Sequence, residues 1–225
     1  MGLMSRLRTI LEPARSGTIS FDDWASFVAF GGHQYPLGVQ QTLSNAKQEL
    51  ADGTFGSFAQ TLYRGNGVVF ACMLARMALF SEARFKYRRD RDGRPGDLFG
   101  DASLSVLDNP WFGGTTGDLL TRMIAHADLA GNAFVTRRGN ELRLLRPDWV
   151  DIAIGSEFDE SVGPLDVDAT VAGYIYWPGG RNSGNEPETF RPSQMAHFAP
   201  IPDPMAHFRG MSWLTPVIRE VGADG

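Results

Sequence analysis

Apolar positions Leu3, Leu7, Ile10 and Leu11 recur at helical spacing and predict a helix over 3–12 that stops before Pro13. A Ser/Gly/Thr stretch follows. Then Phe21-Asp22-Asp23-Trp24-Ala25-Ser26-Phe27-Val28-Ala29-Phe30 brings four aromatics into ten residues, closed by Gly31-Gly32. This segment reads either as a short core helix capped by Ser20 or as an arm that docks on a neighbouring subunit. From Asn66 to Phe80 the apolar positions Val69, Met73, Leu74, Ala75, Met77 and Phe80 predict a well-buried helix. Ala83 to Arg88 alternates small or apolar residues with charged ones, the pattern of a strand with one solvated face, and Asp92-Gly93 predicts a turn.

A second long helix is predicted over Thr116–Ala130. Thr115 or Thr116 serves as its cap, Asp118 sits in its first turn, and Gly131-Asn132 stops it. Ala133–Arg137, a Gly139-Asn140 turn and Glu141–Leu145 form a hairpin pattern. Pro147-Asp148 breaks it, and Val150–Ile154 alternates as another strand. Residues 155–170 and 178–189 are polar, Gly-rich and acidic and read as loops or a mobile insertion on either side of a strand from Val171 to Trp177. After the turn Arg191-Pro192-Ser193 come a short strand, Met195–Ala199, and a last helix, Trp213–Val221, with Pro216 in its first turn. The fold class this implies is α+β, with helices packed on a small, mostly antiparallel sheet.

Length and composition narrow the picture. A chain of 225 residues makes one or two domains and buries enough surface, about 70–75% of its unfolded area, to need no disulfide or metal. The single cysteine, Cys72, excludes an intramolecular disulfide framework. A net charge of −5 argues against a globally basic nucleic-acid binder. The N-terminus has no apolar run after its first charges, and Arg6 stands where a myristoylation motif needs Ser or Thr. The longest apolar stretch, Gly67–Phe80, is interrupted by Arg76 and too short to span a bilayer, so no membrane partner is expected and the protein reads as soluble.

Candidate chemistry is sparse. Gly65-Asn66-Gly67 precedes a helix but lacks the third glycine of a dinucleotide site, and no Gly-Lys-Ser/Thr is present. His33, His126, His197 and His207 show no zinc-binding spacing, and Cys72 has no Cys-x-x-Cys partner. Gly210-Met211-Ser212-Trp213-Leu214 lacks the second glycine of a nucleophile elbow. His197, in an apolar strand, reads as a hydrogen-bonded structural histidine. Asp22-Asp23 and Asp166/Asp168 read as solvated loop carboxylates; a metal-dependent nuclease or hydrolase using Asp166 or Asp168 is the rival. The basic run Arg84–Arg94 and Arg137-Arg138 suit phosphate contacts, a solvated strand or an intersubunit salt-bridge surface. No catalytic, cofactor or metal residues are expected.

Several stretches in order carry a resemblance. Asn66-Gly67-Val68-Val69-Phe70-Ala71-Cys72, then Leu74-Ala75-Arg76-Met77-Ala78 and Arg84-Phe85-Lys86-Tyr87, resemble the first helix and strand of tailed-phage portal proteins of the HK97 type. Leu107-Asp108-Asn109-Pro110, Leu129-Ala130-Gly131-Asn132-Ala133-Phe134-Val135 and Leu144-Leu145-Arg146-Pro147-Asp148-Trp149-Val150 follow at that family's distances. So do Tyr174-Ile175-Tyr176, Met195-Ala196-His197-Phe198 and Arg209-Gly210-Met211-Ser212-Trp213-Leu214. The match runs over about 65–221, and the positions carried over, Ala71, Cys72, Gly131, Asn132, Pro147, Asp148, His197, Gly210 and Ser212, are structural.

The resemblance implies a portal wing-like domain over 56–221 behind an N-terminal helical and aromatic arm over 1–55. Family members are usually about twice this long, so the wing half would end, at 222–225, where a tunnel-lining stem helix begins, with stem and clip missing. It also implies a dodecameric ring of the chain with itself at one capsid vertex. Its partners would be the terminase large subunit, head-tail adaptor and major capsid proteins. Double-stranded DNA would pass through without sequence specificity, in a virion assembled in the host cytoplasm. A stand-alone interaction module gripping a partner through Phe21–Phe30 is a further alternative.

Overall fold

The structure, a computed structural model, describes residues 27–30, 33–36, 48–51, 54–91, 94–156, 159, 162–163 and 166–218. The helix over 3–12, Asp22-Asp23, the Asp92-Gly93 turn and residues 219–221 lie outside them. In chain order, β1 (Phe27–Phe30) and β2 (His33–Pro36) form a ribbon, followed by the short strand β3 (Gln48–Glu49). Next, α1 (Thr54–Phe58) runs into a π turn over Ala59–Tyr63, α2 spans Gly67–Ser81, and β4 (Tyr87–Arg91) pairs with β5 (Arg94–Phe99) in a second ribbon. The turn α3 (Ser105–Asp108) leads to α4 (Thr116–Ala130), the hairpin β6 (Ala133–Arg138) and β7 (Glu141–Leu145), and then β8 (Val150–Gly155). β9 (Thr170–Tyr176), β10 (Glu188–Phe190) and β11 (Met195–Phe198) follow. Two antiparallel sheets result, of order β10-β9-β8-β3 and β11-β6-β7, so the fold is α+β.

Local signals explain the two long helices. The Asn66 side chain accepts from the N–H groups of Val68 and Val69, both at 3.0 Å, and opens α2. Thr115 and Asp118 form a reciprocal capping box at the start of α4: Asp118 N–H donates to Thr115 Oγ1 at 3.2 Å, and Thr115 N–H donates to Asp118 Oδ2 at 3.0 Å. The Thr115 hydroxyl also donates to Asp118 Oδ2 at 2.7 Å, and this bond, with the one from Thr115 N–H, holds the Asp118 carboxyl below its ordinary pKa. Gly131, at φ 71°, ends α4 in the left-handed region.

The helices meet over one apolar core of Phe58, Leu62, Val69, Met73, Met77, Ile124, Leu129 and Leu214. The sheets enclose a second, built on Phe134, Leu145, Val150, Ile152, Tyr174, Phe190 and Met195.

Several expectations are corrected. The helix over 67–81 forms, but it is not well buried: only Val69, Met73 and Met77 are covered, while Val68, Phe70, Leu74 and Leu79 lie exposed. A helix apolar on nearly all sides gives no moment by which to choose one face. Phe27–Phe30 is a strand, not part of a helix. The strand expected from Ala83 begins only at Tyr87. β8 does not alternate between core and solvent: all six of its residues are buried, Asp151 included. The loop over 178–189 ends in β10, whose Phe190 pairs with Tyr174. Residues 213–217 are turns, closed by Thr215 N–H to Ser212 O and Val217 N–H to Leu214 O, rather than the first turns of an α-helix.

Candidate functional site

The conformation of Gly131 sets up a densely bonded chain crossing. Its backbone crosses that of Gly210 so closely that a Cβ on either residue would run into the other's carbonyl. Asn132, 1% exposed, clamps the crossing. Its Oδ1 accepts from Gly210 N–H at 2.8 Å, and its Nδ2 donates to Gly210 O at 3.0 Å and Ala130 O at 2.7 Å. Because Gly210 N–H can only donate, the amide orientation is fixed, and the His197 Nε2 at 2.9 Å from the same Oδ1 must also be a donor. His197 stacks on Phe134 with centroids 4.5 Å apart. Burial, with a smaller push from the Arg209 cation, lowers its pKa to about 4, so it is neutral at pH 7.

Ser212 extends the same knot. Its hydroxyl donates to Asp128 O and accepts from Leu214 N–H at 3.1 Å, pinning the chain after Gly210 to the last turns of α4. The Asp128 side chain is 1% exposed and takes a two-pronged contact from Arg76 (Nε to Oδ2 2.9 Å, Nη2 to Oδ1 2.9 Å). Burial raises the Asp128 pKa, opposed by Arg76. Arg76 is the single charged residue of α2, and it is spent on tying that helix to α4.

Two further carboxylates act as fasteners. Buried Asp151 accepts from Trp177 Nε1 at 2.6 Å, from Ala51 N–H at 2.8 Å and from Arg181. Glu49 sits in a nest of consecutive backbone N–H groups, from His207, Phe208 (3.0 Å) and Arg209 (3.0 Å). The Arg209 guanidinium in turn donates to Val150 O at 2.8 Å and Pro147 O at 3.0 Å. Pro147 opens a single 3-10 turn, and Asp148 within it pairs with Arg146.

The structure therefore gathers Gly131, Asn132, His197, Gly210 and Ser212 into one buried network, and Pro147 reaches its edge through Arg209. Asp148 stands apart from it, and Ala71 and Cys72 are exposed on α2. The network holds saturated hydrogen bonds and a neutral imidazole rather than a nucleophile beside a base, so what it does chemically is fix chain crossings. Asp166 and Asp168 form a local turn, with Asp168 N–H donating to Asp166 Oδ1 at 3.0 Å. No group of three or more His, Cys, Asp or Glu residues is placed to hold a metal among the described residues. No helix among them is long and apolar enough to cross a membrane.

Sequence reasoning missed Glu49 and Asp151. The signal for Asp151 was available: an acid flanked on both sides by aliphatic residues of one strand, followed by Trp177 and Arg181, which can both donate to it.

Neither a protein-family model nor a curated protein matches the chain. Solved structures do. Chains in the neck of the native GTA particle, computed with C12 symmetry, match at 17% identity and TM-score 0.56, over 80% of this chain and 44% of theirs. The neck of the empty GTA particle, computed with C6 symmetry, gives 17% and TM-score 0.59, over 80% and 45%. The virion of the native gene transfer agent particle gives 17% and TM-score 0.57, over 80% and 44%. The chain thus shares its fold with chains of these particles and spans less than half of their length.

Proposed function

We propose that this chain is a non-enzymatic structural component of a phage-type particle, acting at the head or neck as a portal protein or its N-terminal half. The observation that carries the proposal is the shared fold with neck chains of a symmetric particle, over 80% of this chain. The order of motifs over 65–221 supports the finer portal reading, with 56–221 as the wing-like part. Under it the chain assembles with itself as a ring, a dodecamer by resemblance. Terminase, head-tail adaptors and capsid protein dock on that ring, double-stranded DNA passes through it without sequence readout, and the ring resides in the virion. The buried network supports a scaffold role, because its polar groups are committed to holding loops in place.

Sedimentation and electron microscopy of the purified chain test this. Closed rings, or incorporation of tagged chain at a single vertex of particles, are the expected result. A monomer at all concentrations that hydrolyses nucleic acid with a divalent metal, and loses this with Asp166→Asn or Asp168→Asn, would refute it in favour of the metal-dependent hydrolase.

A further inference from the structure

Charge is unevenly divided along this chain. Residues 84–99, which contain the β4–β5 ribbon, hold six basic and three acidic side chains, a net +3, and this leaves −8 on the rest of a chain of net −5. Five acidic side chains stand together in one segment, residues 155–170, which has no Lys or Arg.

The cations of the ribbon are not neutralised by the molecule itself. Ion pairs tie Arg76, Arg138, Arg143, Arg146 and Arg181 to carboxylates elsewhere. Lys86, Arg88 and Arg94 are exposed and have no carboxylate partner among the described residues. The register sets Arg88 directly opposite Leu98, so the two share a face, and Leu98 is 59% exposed. The next pair, Tyr87 and Phe99, lies on the other face with centroids 5.6 Å apart, and Arg89 sits over the Phe99 ring. One face of the ribbon thus has its own aromatic cluster, while the other presents a cation beside a bare aliphatic. A two-stranded ribbon is marginally stable alone and gains from a partner on such a face.

The acidic segment shows the converse pattern. Just before β9, Asp166, Val167 and Asp168 are all exposed, Val167 at 95%. Ala169 N–H donates to Asp166 O at 3.1 Å and Asp168 N–H to Asp166 Oδ1 at 3.0 Å, which closes the turn. Neither carboxylate has a Lys or Arg partner among the described residues. A bare aliphatic between two carboxylates complements a bare aliphatic beside a cation in both charge and polarity. The two surfaces belong to separate sheets: the ribbon is one by itself, and the turn leads into the sheet of order β10-β9-β8-β3.

Resting on the ring reading above, we infer that the ribbon face bearing Arg88 and Leu98 is a subunit contact whose occupant is the Asp166–Asp168 turn of a second copy. Leu98 packs on Val167, Arg88 and the neighbouring Lys86 meet the two carboxylates, and Arg94 adds to the same positive field. Two unlike surfaces on one chain make a head-to-tail contact, which closes into a ring when the rotation allows. Duplex DNA matches the ribbon's charge but not its aliphatic, and the −8 on the rest of the chain repels it.

Sedimentation of the full chain and of two charge-reversed variants tests this. In Lys86→Glu/Arg88→Glu the ribbon turns negative and meets a negative turn; in Asp166→Lys/Asp168→Lys both surfaces are positive. Each variant alone, with an unchanged circular dichroism spectrum, should need about tenfold or more higher concentration to assemble. Their equimolar mixture should assemble as readily as the parent, because each ribbon then faces the opposite charge on the other variant's turn. Val167→Lys/Asp168→Lys, which keeps the Asp166 side chain that closes the turn, replaces the second variant if that one misfolds. The parent gives a reading that needs no variant: its assembly should weaken as salt rises from about 50 to about 500 mM. Parent-like assembly of either variant alone, a mixture that fails to assemble, or parent assembly indifferent to salt each overturns the inference and leaves the ring reading intact. So does a K86E/R88E chain that assembles normally but loses retention of duplex DNA in a gel shift, which would give the ribbon to DNA. A parent chain monomeric at every concentration and salt overturns the inference together with the ring reading.

Discussion

Replacing Asn132 with alanine isolates the buried knot. The substitution removes the partner of four groups at once: Gly210 N–H, Gly210 O, Ala130 O and His197 Nε2. A buried polar group left without a partner costs about 1–3 kcal/mol. The two carbonyls can be partly satisfied by a water entering the vacated space, since the site is polar and roomy enough once the amide is gone. The two donors, held by a glycine crossing and a stacked ring, have less freedom to turn elsewhere. Counting chiefly those, the expected loss is about 3–5 kcal/mol, a large part of a typical 5–15 kcal/mol stability. Urea unfolding followed by tryptophan fluorescence measures it, with the slope against denaturant unchanged and the midpoint lowered. In a thermal scan the same loss lowers the midpoint by roughly 10 °C for a chain of this size. A loss below about 1 kcal/mol with an unchanged slope would refute the reasoning, because it would mean the four groups find partners without Asn132. Asn132→Asp keeps the Oδ1 acceptor but places a carboxylate beside His197. It should therefore raise the His197 pKa, readable by NMR titration, where alanine does not.

Three other outcomes follow from the same structure. Burial holds His126 and His197 at a pKa of about 4, below the unfolded value near 6.5. The unfolded chain therefore binds more protons between those values, and stability falls as pH drops through that window, by roughly 2 kcal/mol per histidine from pH 7 to 5; His126→Phe should flatten the profile, and an unaltered slope contradicts it. Arg76→Met leaves the buried Asp128 carboxylate without its ion pair and should cost about 2 kcal/mol, discounted because the Arg76 side chain is 44% exposed. Adding Asp128→Asn should recover much of that in urea unfolding. Gly131→Ala should cost well over 3 kcal/mol, since it combines a positive φ with a clash against Gly210, whereas Gly139→Ala, at φ 61° in open space, should cost only about 1–2 kcal/mol; equal shifts in melting temperature would refute the contrast.

What could be read from the chain was local. The capped helix from Thr116, its stop at Gly131 and the hairpin around Gly139 each depend on residues within a few positions of one another, and each forms as expected. What escaped was defined by partners far away. β3 and β10 have two and three residues and exist because β8 and β9 offer edges, not because of any pattern of their own. The open face of α2 was invisible for the opposite reason: uniform apolarity says a helix is wanted by something, not by which side. The knot was half legible, since Gly131-Asn132 announced a helix stop, but nothing in the spacing announced that Gly210, 78 residues on, would lie across it.

The Glu49 nest carries a consequence in time. Its acceptor comes early in the chain, and the N–H groups that hold it come 158 to 160 residues later. At synthesis rates of about 5–20 residues per second, β3 is held only by its pairing with β8 and the Ala51–Asp151 bond for roughly ten seconds or more before this second fastening exists. Until then the edge of β8 beside it has only a two-residue strand to shield it. The sheet's ladders can therefore form once residue 190 is made, but the last anchor of its β3 edge is added only with residues 207–209.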